Sequence, residues 1–417
     1  MKIVEKRMQE VKEKISEITG AEGIETRTEL IQQMVPVVLD YVKELLKGDV
    51  ERIAGLRYSR CGGSENASRW GRQAGSICLQ DMKVPVMVPR VRDTVTGKEI
   101  QLDTYKSLQK RHYGDKKLMK RLIHGLSCRN YEECAEMVPG VFGLKPSTVS
   151  HRYIRASSRK LRELMERRLE GQDIVAMFID GKTFADDEIV IAMGVKMSGE
   201  KILLGMVQTG TENERVISRF LEELKDRGLQ YNNGILFVID GSKGFRKAIR
   251  KSFGEYGVIQ RCLWHKRENV VSYLPKGRQK EFRYKLQGAY EKPTYSEAKE
   301  SLLRIKADLE QINESSARSL EEGLEETLTL HRLEVFRELG ISLKTANCME
   351  SIMSQVERKT SRVSYWKNSH QKMRWVAAAL LEIEPRLRII KGYRHLLLLR
   401  TALQNQIKQK LGAQEVA

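Results

Sequence analysis

The sequence predicts an α/β protein: a mixed sheet flanked by helices, interrupted by an all-helical stretch and preceded by a helical region with a small β element. Three observations predict it. Apolar runs at 174–179, 189–195 and 202–207 follow one another, with Ser198-Gly199 as a hairpin turn before the third. Two further runs, 235–239 and 258–261, alternate with amphipathic helical patterns at 212–227 and 243–253. From 276 to 340 the pattern is helical, with capping-box spacing at Thr294/Glu297 and Ser319/Glu322.

Length and charge narrow the class. A chain of 417 residues allows two or three domains, and 41% hydrophobic residues suffice for a sizeable core. The longest block of large aliphatic residues, 396–399, is far short of the ~20 needed to span a bilayer. Residues 1–14 are charged throughout, unlike a secretory signal. Six cysteines (61, 78, 128, 134, 262 and 348) lack framework spacing, which suits a reducing compartment. A membrane protein, a disulfide scaffold and a long disordered tail are thereby excluded. The 74 Lys and Arg against 55 Asp and Glu give a net charge of +19. Residues 52–129 carry +11 and residues 358–410 another +11, while 130–357 is nearly neutral. Two basic blocks around a neutral body suit a phosphate backbone held at separate places, because clustered cations release counterions. A cytoplasmic protein whose partner is a polyanion such as double-stranded DNA is the expectation.

In chain order, Val4, Met8, Val11, Ile15 and Ile18 form a short helical stripe, and Thr26/Glu29 opens a second helix to about residue 47. Residues 55–102 are rich in glycine and read as short strands and turns. Arg90 and Arg92 alternate there with Val88 and Val91, giving one hairpin face a basic, phosphate-facing edge. A helix at 131–138 breaks at Pro139, Gly140 and Gly143, and another starts near Pro146. On the latter, Val149, Tyr153, Ala156 and Leu161 are expected to pack inward. Ser147, Thr148, Ser150, His151, Arg152 and Arg155 are expected to face out. That layout suits a helix-turn-helix as well as an ordinary helical hairpin; the basic neighbourhood favours DNA contact. Three adjacent strands, a helix, a strand, a helix and a strand then give the order of a ribonuclease H-like core. Tyr365, Trp366 and Trp375 lie among basic residues, as buried helix anchors or as stacking surfaces for unpaired bases. The aliphatic face of 389–403 reads as core or dimer contact.

Two acids carry the chemistry. The run at 174–179 ends in Asp180 and the run at 235–239 ends in Asp240, each followed by glycine. Carboxyl ends of strands are where open α/β sheets hold ligands. Two aspartates on neighbouring strands repel unless a divalent cation bridges them, and hard oxygen ligands favour Mg²⁺ or Mn²⁺ over zinc. A third carboxylate would complete a two-ion site. Asp186, Asp187 and Glu188 are rivals, but they read as a solvated turn before the next strand.

The segments IDGKTFADDEIVIAMGV (179–195), VIDGSKGFRKAIRKSF (238–253), VIQRCLWHKREN (258–269) and LKTANCMES (343–351) resemble Mutator-type bacterial insertion-sequence transposases. The resemblance runs from about residue 55 to 410. It implies a ribonuclease H-like catalytic domain with an Asp-Asp-Glu triad and a helical insertion before the Glu. The metal-binding and catalytic carboxylates would then be Asp180, Asp240 and Glu350, with Glu350 resting on the resemblance and lying on a helix that begins near Asn347. It also implies cleavage of the 3′ strand at terminal inverted repeats and joining to target DNA, by a homodimer or higher multimer on paired ends. The alternatives are an inactive DNA-binding regulator derived from such an enzyme and a structure-selective nuclease of the same fold.

Cys262 and His265 match the Cys-x2-His signature that follows the second Asp in the family. They are half of a zinc site at most, since no second pair follows. Packing near the active site, with His265 contacting a phosphate or orienting a carboxylate, and a purely structural role are the other readings. Relatives often carry a base seven residues after the Glu; here that position is Glu357, followed by Arg358 and Lys359 as candidate DNA contacts. The expected division is 1–50 helices, 51–103 the basic β element, 104–170 the helix-turn-helix-like region, 171–275 the first part of the core, 276–340 the helical insertion, 341–380 core completion and 381–417 a helical tail.

Overall fold

The computed structural model describes residues 24–58, 66–79, 82–109, 112–125, 145–184, 187–210, 213–361, 363 and 365–415. They form two compact units, Met1–Ala156 and Ser157–Ala417. The predicted stripe at 4–18 and the predicted helix and turn at 131–143 lie outside the described residues.

The first unit is built on α1 (Ile24–Ala54), β1 (Ala67–Leu79), β2 (Met82–Asp93), β3 (Glu99–Ile100), α2 (Asp103–Leu108) and α3 (His112–Ile123). The strands form one antiparallel sheet in that order. Along β2, buried Val84, Val86 and Val88 alternate with exposed Pro85 and Met87, the period-2 signature of a sheet with one wet face. Val42, Leu46 and Val50 of α1 pack on that apolar face.

Helix α4 (Pro146–Met165) begins in the first unit and ends in the second. The second unit continues with β4 (Ile174–Phe184), β5 (Asp187–Lys196), β6 (Lys201–Thr209), α5 (Glu214–Asp226), β7 (Ile235–Ile239), α6 (Lys243–Phe253) and β8 (Gly257–Arg261). Next come α7 (Leu263–Ser272), α8 (Lys276–Tyr290), α9 (Tyr295–Glu310), α10 (Glu314–Glu321), α11 (Leu324–Thr327), α12 (Thr329–Arg332) and α13 (Phe336–Leu343). The chain ends in α14 (Asn347–Thr360), α15 (Ser369–Ile383) and α16 (Leu396–Glu415). The sheet order is β6-β5-β4-β7-β8, with β4 antiparallel to β5 and parallel to β7. The predicted α/β class, its five strands and its helical stretch are therefore observed.

Strand parity sorts the core into two faces. Met177, Ile179, Phe237 and Ile239 pack with Ile217, Phe220, Phe245 and Ile249 of α5 and α6. Phe178, Leu236 and Val238 pack in the cluster that holds Met349, Ile352 and Val356 of α14. The strand predicted to end at Asp180 runs on to Phe184, because β5 keeps pairing with it through Phe184↔Asp187 after β7 has stopped. Asp187 and Glu188 consequently lie in β5 rather than in a solvated turn. Ser319 is likewise inside α10, whose N-cap is Asn313, accepting from the Ser316 amide at 3.0 Å. The Thr294 cap stands as predicted, accepting from the Glu297 amide at 3.3 Å.

The outer edge of β8 would otherwise expose backbone polar groups. Buried Gln260 closes it: its amide nitrogen donates to the Arg261 and Thr327 carbonyls, and its side-chain oxygen accepts from the Leu330 amide at 3.0 Å. Thr329 Oγ1 donates to the Ile259 carbonyl at 2.6 Å. On the far side, Arg400 of α16 donates to the Gly234 carbonyl at 2.8 Å and the Ile174 carbonyl at 3.1 Å, fastening the starts of β7 and β4. Leu396, Leu399 and Leu403 are core, as the 389–403 face predicts, while Leu397 and Leu398 are exposed. Trp366 meets Phe184 and Trp375 edge-on at 5.1 and 6.4 Å, in the anchor role, and Tyr365 is exposed. Among the described residues no helix is long and apolar enough to cross a membrane.

Candidate active site

The parallel pairing of β4 with β7 ends at Phe178↔Val238. Asp180 and Asp240 each stand two residues beyond that pair, Asp180 still within β4 and Asp240 in the turn one residue past the end of β7. Two residues preserve parity along β4, so Asp180 follows the Phe178 face, against which α14 packs. Asp180 is 8% exposed and Asp240 half-buried. The turn after Asp240 is local: Asp240 Oδ1 accepts from the Ser242 amide at 2.9 Å, and Ser242 Oγ accepts from Phe245 at 3.4 Å to start α6.

Glu350 lies in the first turn of α14, half exposed, with its Oε1 3.5 Å from His265 Nε2. His265 therefore faces a carboxylate. Its Nδ1 is buried and has no hydrogen-bond partner among the described residues.

Cys262 joins the strand end to that helix. Its amide donates to the Ile239 carbonyl at 2.7 Å, one residue before Asp240, and its Sγ accepts from the Ala346 amide at 3.3 Å, four residues before Glu350. The Leu263 amide adds a second tie, to the Lys344 carbonyl at 2.9 Å. Burial pushes the Cys262 thiol up, and the Asp180 carboxylate adds to the rise. Burial also pushes the Cys348 thiol up to about 11, again with an Asp180 contribution. Asp180 thus acts on thiols at the start of α7 and on α14 alike. Among the described residues no group of three or more His, Cys, Asp or Glu side chains is gathered to hold a metal ion. As donors, the two neighbouring aspartates fit a hard divalent cation; Glu350 stands aside on His265.

A buried cationic bolt supports this rim. Arg261, at the end of β8 and 5% exposed, fills the space beside Gly241 and donates from Nη1 to the Glu322 carbonyl at 2.9 Å. Lys266, fully buried on α7, donates to the Ser319 and Glu322 carbonyls. Desolvation, reinforced by Arg261, lowers the Lys266 amine to about 7 from an ordinary 10.5. The unfolded chain then holds more protons between those values, so the burial cost is fully present below pH 7 and fades as pH rises toward 10.5. The expected result is that the melting temperature of the parent, relative to Lys266→Met, climbs between pH 7 and 10. A pH-independent difference in scanning calorimetry would contradict it.

Other predicted residues fall out as follows. Arg90 is paired with Glu99 at 2.8 Å; Arg92 lies 4.7 Å over the Trp70 ring and donates to the Gly97 carbonyl. Ser147, His151 and Arg155 are exposed, and Thr148 and Ser150 half-buried. Arg152 is 1% exposed, contrary to its expected outward position. It falls in the same three-and-four spacing as Val149 and Ala156 and so sits on the inward stripe. Arg358 is exposed, and burial lowers the Lys359 amine. Glu357, at the position expected to be basic, meets Lys182 Nζ at 2.7 Å. Sequence reading singles out neither Lys182 nor Arg261. Strand parity with Asp180 was a signal for the first; the packing of Arg261 on Gly241 is between elements and leaves no pattern.

The family model described as "Transposase, Mutator family" matches residues 7–387. The chain is 31% identical over 196 residues to the transposase for insertion sequence element IS256 in transposon Tn4001 of Staphylococcus aureus, covering 46% of the chain and 48% of that protein. It is 26% identical over 245 residues to the transposase for IS6120 of Mycolicibacterium smegmatis (57% and 74%), and 23% identical over 355 residues to the transposase for ISRM5 of Rhizobium meliloti (83% and 86%). The match to the Staphylococcus protein thus spans about half of its length. With nearly its whole length matched by the family model, the chain belongs to the Mutator family of transposases.

Proposed function

We propose that the chain is a DNA transposase that binds the terminal inverted repeats of its element, cuts the 3′ strand and joins the freed end to target DNA. The observation that carries this reading is that Asp180 and Asp240 each follow the last paired residues of adjacent strands by two positions, with the Glu350 helix packed on the sheet face that carries Asp180. That arrangement, with five strands in the order β6-β5-β4-β7-β8, supports a ribonuclease H-like core interrupted by the helices of 276–340. Both reactions are in-line phosphoryl transfers, so one site serves both without a covalent enzyme intermediate.

Mg²⁺ or Mn²⁺, one or a pair, would be held by Asp180 and Asp240, with Glu350 joining them from His265. When bound, such ions lower the pKa of an attacking water and neutralise charge on the leaving oxygen. The chain's own contribution is orientation. Ser242 fixes the Asp240 carboxylate, His265 holds Glu350, and Cys262 keeps strand and helix together. Arg90, Arg92, Ser147, Thr148, Ser150, His151, Arg155, Arg358 and Lys359 would meet DNA backbone, with two or more subunits on paired ends.

The test uses purified protein, Mg²⁺, duplexes carrying the DNA that flanks the reading frame, and a supercoiled plasmid. Covalent oligonucleotide–plasmid products are expected. Cutting without joining would make the chain a nuclease, and binding without cutting a regulator; either overturns the proposal.

A further inference from the structure

Lys182 stands two residues after Asp180 on β4, so it lies on the same sheet face, about 7 Å further along the strand. Its Nζ is 2.7 Å from Oε1 of Glu357, which lies seven residues after Glu350 on α14, nearly two full turns and so on the same helical face. The pair therefore runs parallel to Asp180 and Glu350, one step outward along the rim. Its side chains are 42% and 48% exposed. An ion pair this open, screened by water and salt, adds little to folding. The rim it occupies carries the carboxylates of Asp180, Asp240 and Glu350, with Arg261 buried beside Gly241 and Lys372 paired with Asp187. A polyanion that brings one phosphate to those carboxylates meets repulsion unless a cation stands beside them. Lys182 is the cation that β4 itself supplies next to Asp180.

We infer that Lys182 is a substrate-binding residue, which takes a backbone phosphate adjoining the reacting one, and that Glu357 is the counterion it leaves when DNA arrives. The inference rests on the reading of the site given above. In the DNA-free protein Glu357 keeps the lysine extended along the rim. On binding, a phosphate oxygen replaces the carboxylate oxygen, and Glu357 is left facing the backbone as a like charge. Its two members therefore act on DNA affinity in opposite directions, which a purely structural ion pair does not do.

The experiment measures equilibrium binding to a duplex of the flanking DNA across a potassium chloride titration. It uses the Asp240→Asn background, so that no strand is cut, and carries Lys182→Ala or Glu357→Gln in addition. Lys182→Ala is expected to weaken binding roughly fivefold and to reduce the slope of log affinity against log salt by about 0.9, one phosphate contact. Glu357→Gln is expected to tighten binding at least twofold. Either a slope unchanged by Lys182→Ala, or two variants that shift affinity in the same direction, would overturn the assignment. If instead the unsubstituted chain neither binds nor cuts the duplex, the reading of the site fails first. If it does both and only the opposite-sign result is missing, Lys182 alone has been misassigned.

Discussion

Asp240→Asn is expected to abolish strand cutting while leaving DNA binding and folding intact. Asparagine keeps the shape and the oxygen that accepts from the Ser242 amide, so the turn that starts α6 survives. What is removed is one of two anionic donors, each two residues past the last paired residues of adjacent strands. A metal-assisted phosphoryl transfer that loses a ligand carboxylate loses several kcal/mol of transition-state stabilisation, or on the order of 10³-fold in rate. Without a cation the two aspartates repel. The substituted protein is thus expected to melt at the same temperature or about 2 °C higher, the usual exchange between activity and stability. Denaturing gels of the flanking duplex and a calorimetric scan check both halves. Normal cutting by Asp240→Asn in Mg²⁺ would remove the aspartate pair from the mechanism.

Gly241→Ala is expected to be the most damaging single-atom addition near the site. Gly241 has φ +113°, a backbone region that side chains rarely adopt, and a Cβ there would overlap the Arg261 guanidinium. That guanidinium is buried, and its bond to the Glu322 carbonyl holds the helical stretch against the end of β8. Strain of about 1–3 kcal/mol adds to the cost of displacing a buried charge, about 3 kcal/mol or more. The sum lowers the melting temperature by about 10 °C. Gly254→Ala is the control: φ is +53° there, but nothing lies within 4 Å of the added carbon. Its expected cost is the backbone strain alone, about 1–3 kcal/mol. Equal losses for the two variants would show that Arg261 yields freely and does not brace the Asp240 turn.

Much of the fold was legible because its signals are local. The apolar run at 235–239 and the amphipathic pattern at 243–253 coincide with β7 and α6, and the Thr294 cap forms where its spacing predicts. Boundaries failed where a neighbouring strand decided them. The apolar run of β4 stops at Ile179, yet its pairing with β5 carries the strand to Phe184. Arg152 was misassigned because its charge outweighed its place on the inward stripe. For the candidate site, the two aspartates were legible as acids that close apolar runs, although β4 itself continues past Asp180. Glu350 was not, since nothing in its surroundings distinguishes it from the other glutamates of the helical stretches.

By itself the sequence determined an α/β chain, the positions of Asp180 and Asp240 at the ends of apolar runs, and the basic blocks that suit a phosphate partner. Periodicity and charge are properties of neighbours along the chain, so they survive without coordinates. Only the tertiary structure decided that β4 and β7 are adjacent parallel strands that end their pairing two residues before each aspartate, and that Cys262 ties the end of β7 to the Glu350 helix. It also decided that Lys182 faces Glu357 and that Arg261 fills the space beside Gly241. These are contacts between residues up to 175 positions apart, and their partners are chosen by register and packing, which one strand or helix alone does not encode.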